Sequence, residues 1–412
     1  MKDHPQLKQK VLKISFFMGS LNITINNNNL GATVANTQVF GLVMNGVSES
    51  GGYTLNTPVM VTSMNDVATA GITVANNPFA IKQLTEFYNE APVGTNLWIM
   101  LVAVTVTVDT MCLSSNTTTG IVALYNASHG TIDIYGALTD DKSANAASVS
   151  ITVTNGLNAK VYTAASNAVT TLGNFRTGEN PARLIVGGTS YNGTASALTT
   201  INSGTTNNNV GIVVGDTLSY DATYTGAAVG LALGTLAAAP LQQKISWVGA
   251  GALSNLTAYL NTVSIAPSNG DPATIAGKGF ITFKLYPNVS GYFWSGDTTA
   301  TAQTDDFYFL ARGRVIDFAQ RLVYGYLVQY VDGTVPALES GLIDPGYAAT
   351  LESKISGKKG VLTTNMQDAG MITGSSTVVP TTQNIVSTST LVVQVTVYSV
   401  GYSSTINVSL GF

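Results

Sequence analysis

The sequence predicts a mixed α/β fold, α+β in detail, with a strand-forming segment at each end. Three observations predict it. Short apolar runs of strand length alternate with longer helix-compatible segments through the middle of the chain. Apolar and polar residues alternate strictly near both termini. And 45% of the 412 residues are hydrophobic, which supplies ample core for a chain of this length.

The elements follow in order. Residues 1–17 carry Lys2, Lys8, Lys10 and Lys13 ahead of Ile14-Ser15-Phe16-Phe17. That apolar run is too broken for a secretory signal, so a disordered leader is expected, with the fold starting near Met18. Leu21, Ile23 and Ile25 then alternate with Asn22, Thr24 and Asn26, a half-buried strand ended by the run Asn26–Asn29. Pro78–Glu90 reads as a helix that packs through Phe79, Leu84, Phe87 and Tyr88, and Leu97–Val108 as a strand. The Ala-rich segment Asn155–Leu172 is helix-compatible. Arg183–Val186 and Val210–Val214 are short buried strands, and 187–210 is a polar loop or loose hairpin.

The uncharged stretch 222–243 places Gly226, Gly230 and Gly234 four apart, on one helix face. In lipid such a stripe dimerises helices. This stretch has too few large apolar residues to need lipid, so a buried helix in close approach to a neighbour is expected. Lys278–Tyr286 alternates as a strand, and Ala311–Tyr330 is the strongest amphipathic helix. At the end, Val393, Val395 and Val397 alternate with Gln394, Thr396 and Tyr398. After Gly401–Ser404, Ile406, Val408, Leu410 and Phe412 continue the pattern, giving a terminal hairpin or two linked strands.

Only 10% of residues are charged, against about 25% in ordinary domains. Residues 14–48 and 370–412 carry no charged side chain at all. Uncovered neutral strands invite association, so these ends are either interior strands of their own domain or strands donated to a neighbour. The remaining charge includes a cluster of Asp305, Asp306, Arg312, Arg314, Asp317 and Arg321, and residues 280–330 hold 13 of the 34 aromatics. Arg314, Asp317 and Arg321 share a helix face. They form an ion-pair ladder along the helix, an intersubunit contact or a guanidinium pair for an anion.

Catalytic signatures are missing. Gly277-Lys278-Gly279 is no phosphate loop, Gly249-Ala250-Gly251 no dinucleotide fingerprint, and Gly188–Asn192 no nucleophile elbow. One cysteine and two histidines exclude a disulfide framework and leave little for a metal site or triad. Cys112 reads as an inert buried thiol, His129 beside Ser128 as a structural histidine, and Asp140-Asp141 and Asp305-Asp306 as turn or cap residues. No enzyme, cofactor or metal is expected. A net charge of −4 and a pI near 5.1 argue against a nucleic-acid partner.

Four segments resemble the tail sheath proteins of contractile phages and related contractile injection systems. They are Leu21–Asn26 through Asn29-Leu30-Gly31 with Val39–Gly46; Gly226–Gly234, Pro240 and Ile245–Gly251; Gly279–Pro287, Gly291–Trp294, Thr304–Asp306, Ala311–Asp317 and Tyr324; and the charge-free ending. The resemblance runs from 18 to 412 and is weakest over 110–210. It implies a sheath-type core with a mixed β-sheet flanked by helices and extended arms. The implied organisation is a leader at 1–17, an N-terminal strand arm at 18–32, an α/β part at 33–275, an assembly domain at 276–385 and a C-terminal strand arm at 386–412.

It further implies a virion-tail subunit, assembled in the host bacterial cytoplasm, that polymerises helically by strand exchange. Contraction then drives an inner tube through a cell envelope. The implied partners are copies of itself, the inner tail tube protein, and baseplate and tail terminator proteins, with no nucleic acid and no stable membrane insertion. Leu21, Ile23, Ile25, Val393, Val395, Val397, Ile406, Val408 and Leu410 would be the exchanged strands. Arg312, Arg314, Asp317 and Arg321 would be intersubunit contacts. The alternative is a secreted surface subunit of fimbrial or S-layer type; a glycan hydrolase is disfavoured because no carboxylate pair at catalytic separation is visible.

Overall fold

The first core strand, β1 (Phe40–Asn45), is buried along its whole length, as a strand covered on both faces must be. In the computed structural model, which describes residues 38–141, 151–204, 206–221, 225–404 and 409, β1 lies at the centre of a six-stranded sheet. The leader, the N-terminal arm with Leu21, Ile23 and Ile25, and the tail positions Ile406, Val408 and Leu410 lie outside the described residues.

The other strands of that sheet are β2 (Val59–Val61), β3 (Leu97–Val102), β4 (Ile134–Leu138), β5 (Arg183–Gly187) and β6 (Val210–Val213), in the order β2-β3-β1-β4-β5-β6. All neighbours are parallel except β2, which runs antiparallel to β3 at the edge. The sheet is therefore mixed, and the strand order reverses between β1 and β4.

Helices cover both faces. On one, α1 (Pro78–Glu90) and α4 (Val229–Ala238) pack over Phe40 and Leu42. The Phe40 ring meets Phe87 edge-on at 5.7 Å, and a side chain at Gly136 would strike Leu233 and Leu42. On the other face lie α2 (Ile121–Ala127) and α3 (Ala159–Thr177), where Tyr125 stacks on Phe175 at 4.0 Å above Tyr135.

The glycine stripe does what its spacing foretells. A Cβ at Gly230 would lie 2.0 Å from the carbonyl oxygen of Gln83, and one at Gly234 would lie 2.4 Å from that of Phe87. The backbones of α4 and α1 therefore touch. Buried Gln83 seals the contact: its amide donates to Ala227 O at 2.9 Å and its Oε1 accepts from Gly230 N at 2.8 Å. Gly226 lies ahead of the helix, and its carbonyl accepts the Tyr220 hydroxyl at 2.6 Å. Among the described residues no helix is long and apolar enough to cross a membrane.

Residues 36–412 form one compact unit, and apolar side chains among its described residues gather into three clusters. The main cluster runs from Phe40 to Leu310 and takes in Ile275, Phe280, Phe283 and Trp294. The second joins Leu241 to Val315 and Ala319 of helix α5 (Leu310–Leu327), to Ile355 of helix α6 (Pro345–Ser356) and to Ile372. The aromatic segment that follows residue 276 packs with the sheet through Phe280, Phe283 and Trp294. There β7 (Phe283–Tyr286) and β8 (Val289–Trp294) form a hairpin that stacks Phe283 on Trp294 at 4.8 Å.

Three local expectations shift. The strand expected over Leu97–Val108 stops at Val102, and Val108–Met111 is a short helix. The helix expected from Asn155 starts at Ala159, because Asn155 and Gly156 both adopt positive φ in a tight hairpin turn joining Val153–Thr154 to Leu157–Asn158. The alternating C-terminal segment forms β10 (Gln394–Ser399), which pairs antiparallel with β9 (Ile372–Val378) of the same chain. Val393, Val395 and Val397 lean on the second cluster. Their alternation thus serves this subunit's own core.

Candidate functional site

Helix α5 lies against the lower ends of β4 and β5, and its charged face is an internal seam. Arg183, at the start of β5 and 1% exposed, donates Nε to Asp317 Oδ2 at 2.6 Å and an Nη to Oδ1 at 3.0 Å. It also donates to Asn208 O at 2.7 Å and Gly313 O at 3.1 Å. Asp317 takes a further bond from Arg176 of α3 at 2.6 Å. The guanidinium can lie flat on α5 only because residue 313 is glycine; a Cβ there would sit 2.3 Å from Arg183 Cζ.

One turn along, Arg314 is equally buried and caps another helix. Its guanidinium donates to Leu236 O and Ala239 O, each at 2.9 Å, at the C-terminus of α4, and to Gln38 Oε1 at 2.6 Å. A cation there meets the negative end of the helix dipole. Burial pulls Arg314 down to about 10, still a cation at neutral pH. Arg321 pairs with Asp133 at 3.3 Å and donates to the carbonyls of Gly130, Ile132 and Pro181. A cavity of about 300 Å³ remains among these groups.

These positions correct the sequence reading. Arg314, Asp317 and Arg321 share a face as expected. They form no ladder along the helix, because their partners come from α3, α4, β5 and the loop before β4 of the same chain. Arg312, on the outer side of α5, has its guanidinium 5.5 Å and 5.8 Å from the rings of Phe309 and Tyr402. Arg183, the best-connected member of the seam, was legible only as one letter of a strand. A second buried ion cluster, Lys82 with Glu86 at 2.9 Å and with Asp216, ties α1 to the loop after β6 and left no sequence signal.

Doubly wound sheets bind ligands at the carboxyl ends of the strands, where the strand order reverses. Here that crevice lies beyond β1 and β4 and is filled by its own side chains. Asn45 donates to Ala103 O and Val106 O and accepts from Asp140 N. Asp141 accepts from Thr139, Asn158, Thr189 and Ser190. Cavities of about 10 and 60 Å³ remain, well short of the ~300 Å³ of a ligand site. Burial pushes the Cys112 thiol up, away from the reactive thiolate. His129 is exposed at a positive-φ position, while Ser128 Oγ donates to Tyr125 O. Among the described residues no cluster of acidic, His or Cys side chains is placed to hold a metal.

A family model, DUF2586, N-terminal domain, matches residues 18–298. The chain belongs to the DUF2586 family. No curated protein sequence matches it. Solved structures similar to this DUF2586 chain place its fold. A chain of the anti-feeding prophage baseplate has a TM-score of 0.57 at 13% identity, covering 96% of this chain and 99% of that one. A chain of the contracted PVC sheath complex, an extracellular contractile injection system, gives 0.55 at 11% identity over 96% and 98%. The sheath tail protein of Desulfitobacterium hafniense gives 0.50 at 9% identity over 92% and 100%. The mixed α/β fold and the resemblance to contractile-system sheath proteins are thus borne out at the level of fold, over nearly the whole DUF2586 chain.

Beside the outer end of α5, Asp297 is fully buried. Its Oδ2 accepts from Ala311 N at 3.2 Å, while Oδ1 has no hydrogen-bond partner among the described residues. Burial pushes this carboxyl up to about 7, against the pull of Lys244 and Arg314. The folded state therefore holds a proton that the unfolded chain, near 3.9, releases. Stability is expected to fall as pH rises from about 4 to about 7 and then to stay low. The gap corresponds to roughly 4 kcal/mol at most. Asp297→Asn should flatten this slope. Urea midpoints that run parallel for the two proteins between pH 4 and 8 would refute the assignment.

Proposed function

We propose that this protein is a structural subunit of a contractile sheath. Copies of it polymerise helically around an inner tube and contract to drive that tube through a target envelope. The observation that carries the reading is the whole-chain correspondence of fold with a chain of a contracted sheath complex. The filled crevice beyond β1 and β4 also suits a structural role better than a catalytic one.

Strand exchange between copies is supported by the β9–β10 sheet. Among the described residues it has two strands, each with one hydrogen-bonding edge not taken by a strand, and neither strand carries a charge. Tyr398 and Val378 are exposed on it. Such an edge accepts an added strand. Residues 18–32 and 405–412 are the segments left to be donated. Baseplate and terminator proteins would cap the polymer, and a tail particle assembled in a bacterial cytoplasm would be its setting.

Negative-stain electron microscopy tests the proposal. The wild-type chain is expected to form hollow tubes with cogwheel cross-sections. A chain ending at Ser404 keeps β1–β10 and should fold but lose the tubes. Truncated protein that still forms them would remove the C-terminal arm from the mechanism, and discrete monomers of the full chain under all conditions would remove the sheath reading.

A further inference from the structure

A cavity of about 590 Å³ opens beyond the C-terminal end of α4, beside the β7–β8 hairpin and residues 401–404. Its walls include Trp247, Tyr286 and Tyr402, and its cations are Lys244 and Lys284. Lys244 Nζ lies 3.7 Å from the Phe309 ring centroid and 5.7 Å from that of Tyr402. Lys284 Nζ lies 4.2 Å above Tyr286. Arg312 stands behind them against the same Phe309 and Tyr402 rings.

Lys82, Lys160, Arg176, Arg183 and Arg321 have carboxylates within ion-pair distance, whereas Arg314 and Lys278 are held by neutral acceptors and exposed Lys354, Lys358 and Lys359 have no carboxylate that near among the described residues. Lys244, Lys284 and Arg312 have none among the described residues. Ring faces attract a cation but do not neutralise it. Asp297 beneath is a single acid for three bases. Lys244 is also held below its ordinary value by burial, so an added anion would relieve it. Trp247 remains 57% exposed on the rim, a large apolar surface beside the unmatched charge. The site suits a carboxylate next to an apolar side chain.

The same chain presents such a pair on a rigid knob. Residues 336–344 form a tight hairpin, closed by Asp344 N to Pro336 O at 3.0 Å, Leu338 N to Leu342 O at 2.8 Å and Gly341 N to Leu338 O at 2.8 Å. Gly341 takes positive φ at the turn, and Asn384 braces it by donating to Ser340 O. Leu338 is 45% exposed at the tip, next to exposed Glu339, which has no ion pair among the described residues. None of the hairpin's residues lines the cavity of its own chain. A preformed tip binds without paying to order itself.

We propose that the Lys244–Lys284 cavity receives the Leu338–Glu339 hairpin tip of a second copy of this chain. The Glu339 carboxylate sits between the two ammonium groups and Leu338 lies against Trp247. Knob and cavity are different surfaces, so the contact is heterologous and repeats from copy to copy into a ring or an open helix. The inference rests on the reading of the chain as a self-assembling subunit and names one of its contacts.

The test follows concentration-dependent self-association of the full chain by sedimentation, with Trp247 fluorescence reporting occupation of the cavity and Trp247→Phe identifying the signal. Lys284→Glu or Glu339→Lys alone should weaken the association at least tenfold, and the double variant, which exchanges the charges, should restore it. Association unchanged by either single variant, or a double variant no better than the singles, would overturn the assignment. Electron microscopy separates the two proposals. Wild-type-like tubes from Lys284→Glu would remove this contact and leave the sheath. Association that follows the charge exchange in a chain that never forms tubes would leave the contact and remove the sheath.

Discussion

Asp317→Ala is expected to destabilise the isolated subunit by about 3–5 kcal/mol, read as a fall in the urea midpoint. The substitution removes both carboxylate oxygens from Arg183, which is 1% exposed, and one from Arg176. Arg183 then keeps the carbonyls of Asn208 and Gly313 and the face of the Phe307 ring, but no counter-charge. A buried cation left unpaired costs far more than the net worth of the pair it belonged to. Removing charge from both partners, with Arg183→Met and Asp317→Leu together, should recover a good part of the loss. If Asp317 instead served a neighbouring subunit, the isolated chain would lose about 0.5 kcal/mol or less, and only assembly would suffer. The two outcomes differ severalfold in a single denaturation experiment.

Gly230→Val should be comparably damaging, by about 3 kcal/mol or more, for a steric reason. The new Cβ alone would stand 2.0 Å from Gln83 O, and the obstacle is backbone, which cannot rotate aside. Helices α1 and α4 must separate, which opens the packing over Phe40, Leu42 and Phe87 and breaks the Gly230 N–Gln83 bond. Overpacking in a tight core costs about 1–3 kcal/mol before such a hydrogen bond is lost. Gly173, in the middle of α3, provides the control. Nothing lies within 4 Å of its would-be Cβ. There, alanine should stabilise by about 0.5–1 kcal/mol through helix propensity. Equal thermal shifts at positions 230 and 173 would show that backbone contact is not what the stripe is for.

Much of the architecture was visible in local pattern. Pro78–Glu90 is a helix with the bounds its Phe79, Leu84 and Phe87 spacing suggests, and Arg183–Gly187 and Val210–Val213 are buried strands. The four-residue spacing of Gly230 and Gly234 pointed to a close approach, and one was found. What pattern missed was pairing. The polar run ITGSSTV of β9 has little strand character, yet it is the partner of β10. Without that partner, Val393, Val395 and Val397 look like a loose arm. Likewise the Lys244–Lys284 cavity joins residues forty positions apart with the stretch near 402, and no window along the chain contains it.

The sequence alone determined the periods: which residues turn inward, which ends are neutral, and where a helix has no side chains to hold a neighbour away. These depend on backbone geometry repeated over a few residues. Only the tertiary structure decided what each charge is for. Arg183 and Asp317 lie 134 residues apart, and their pairing turns a surface-like letter into a buried strut. A charge in the chain reads the same whether water or a carboxylate will surround it. Its partner and its dielectric are set only when distant segments fold against each other.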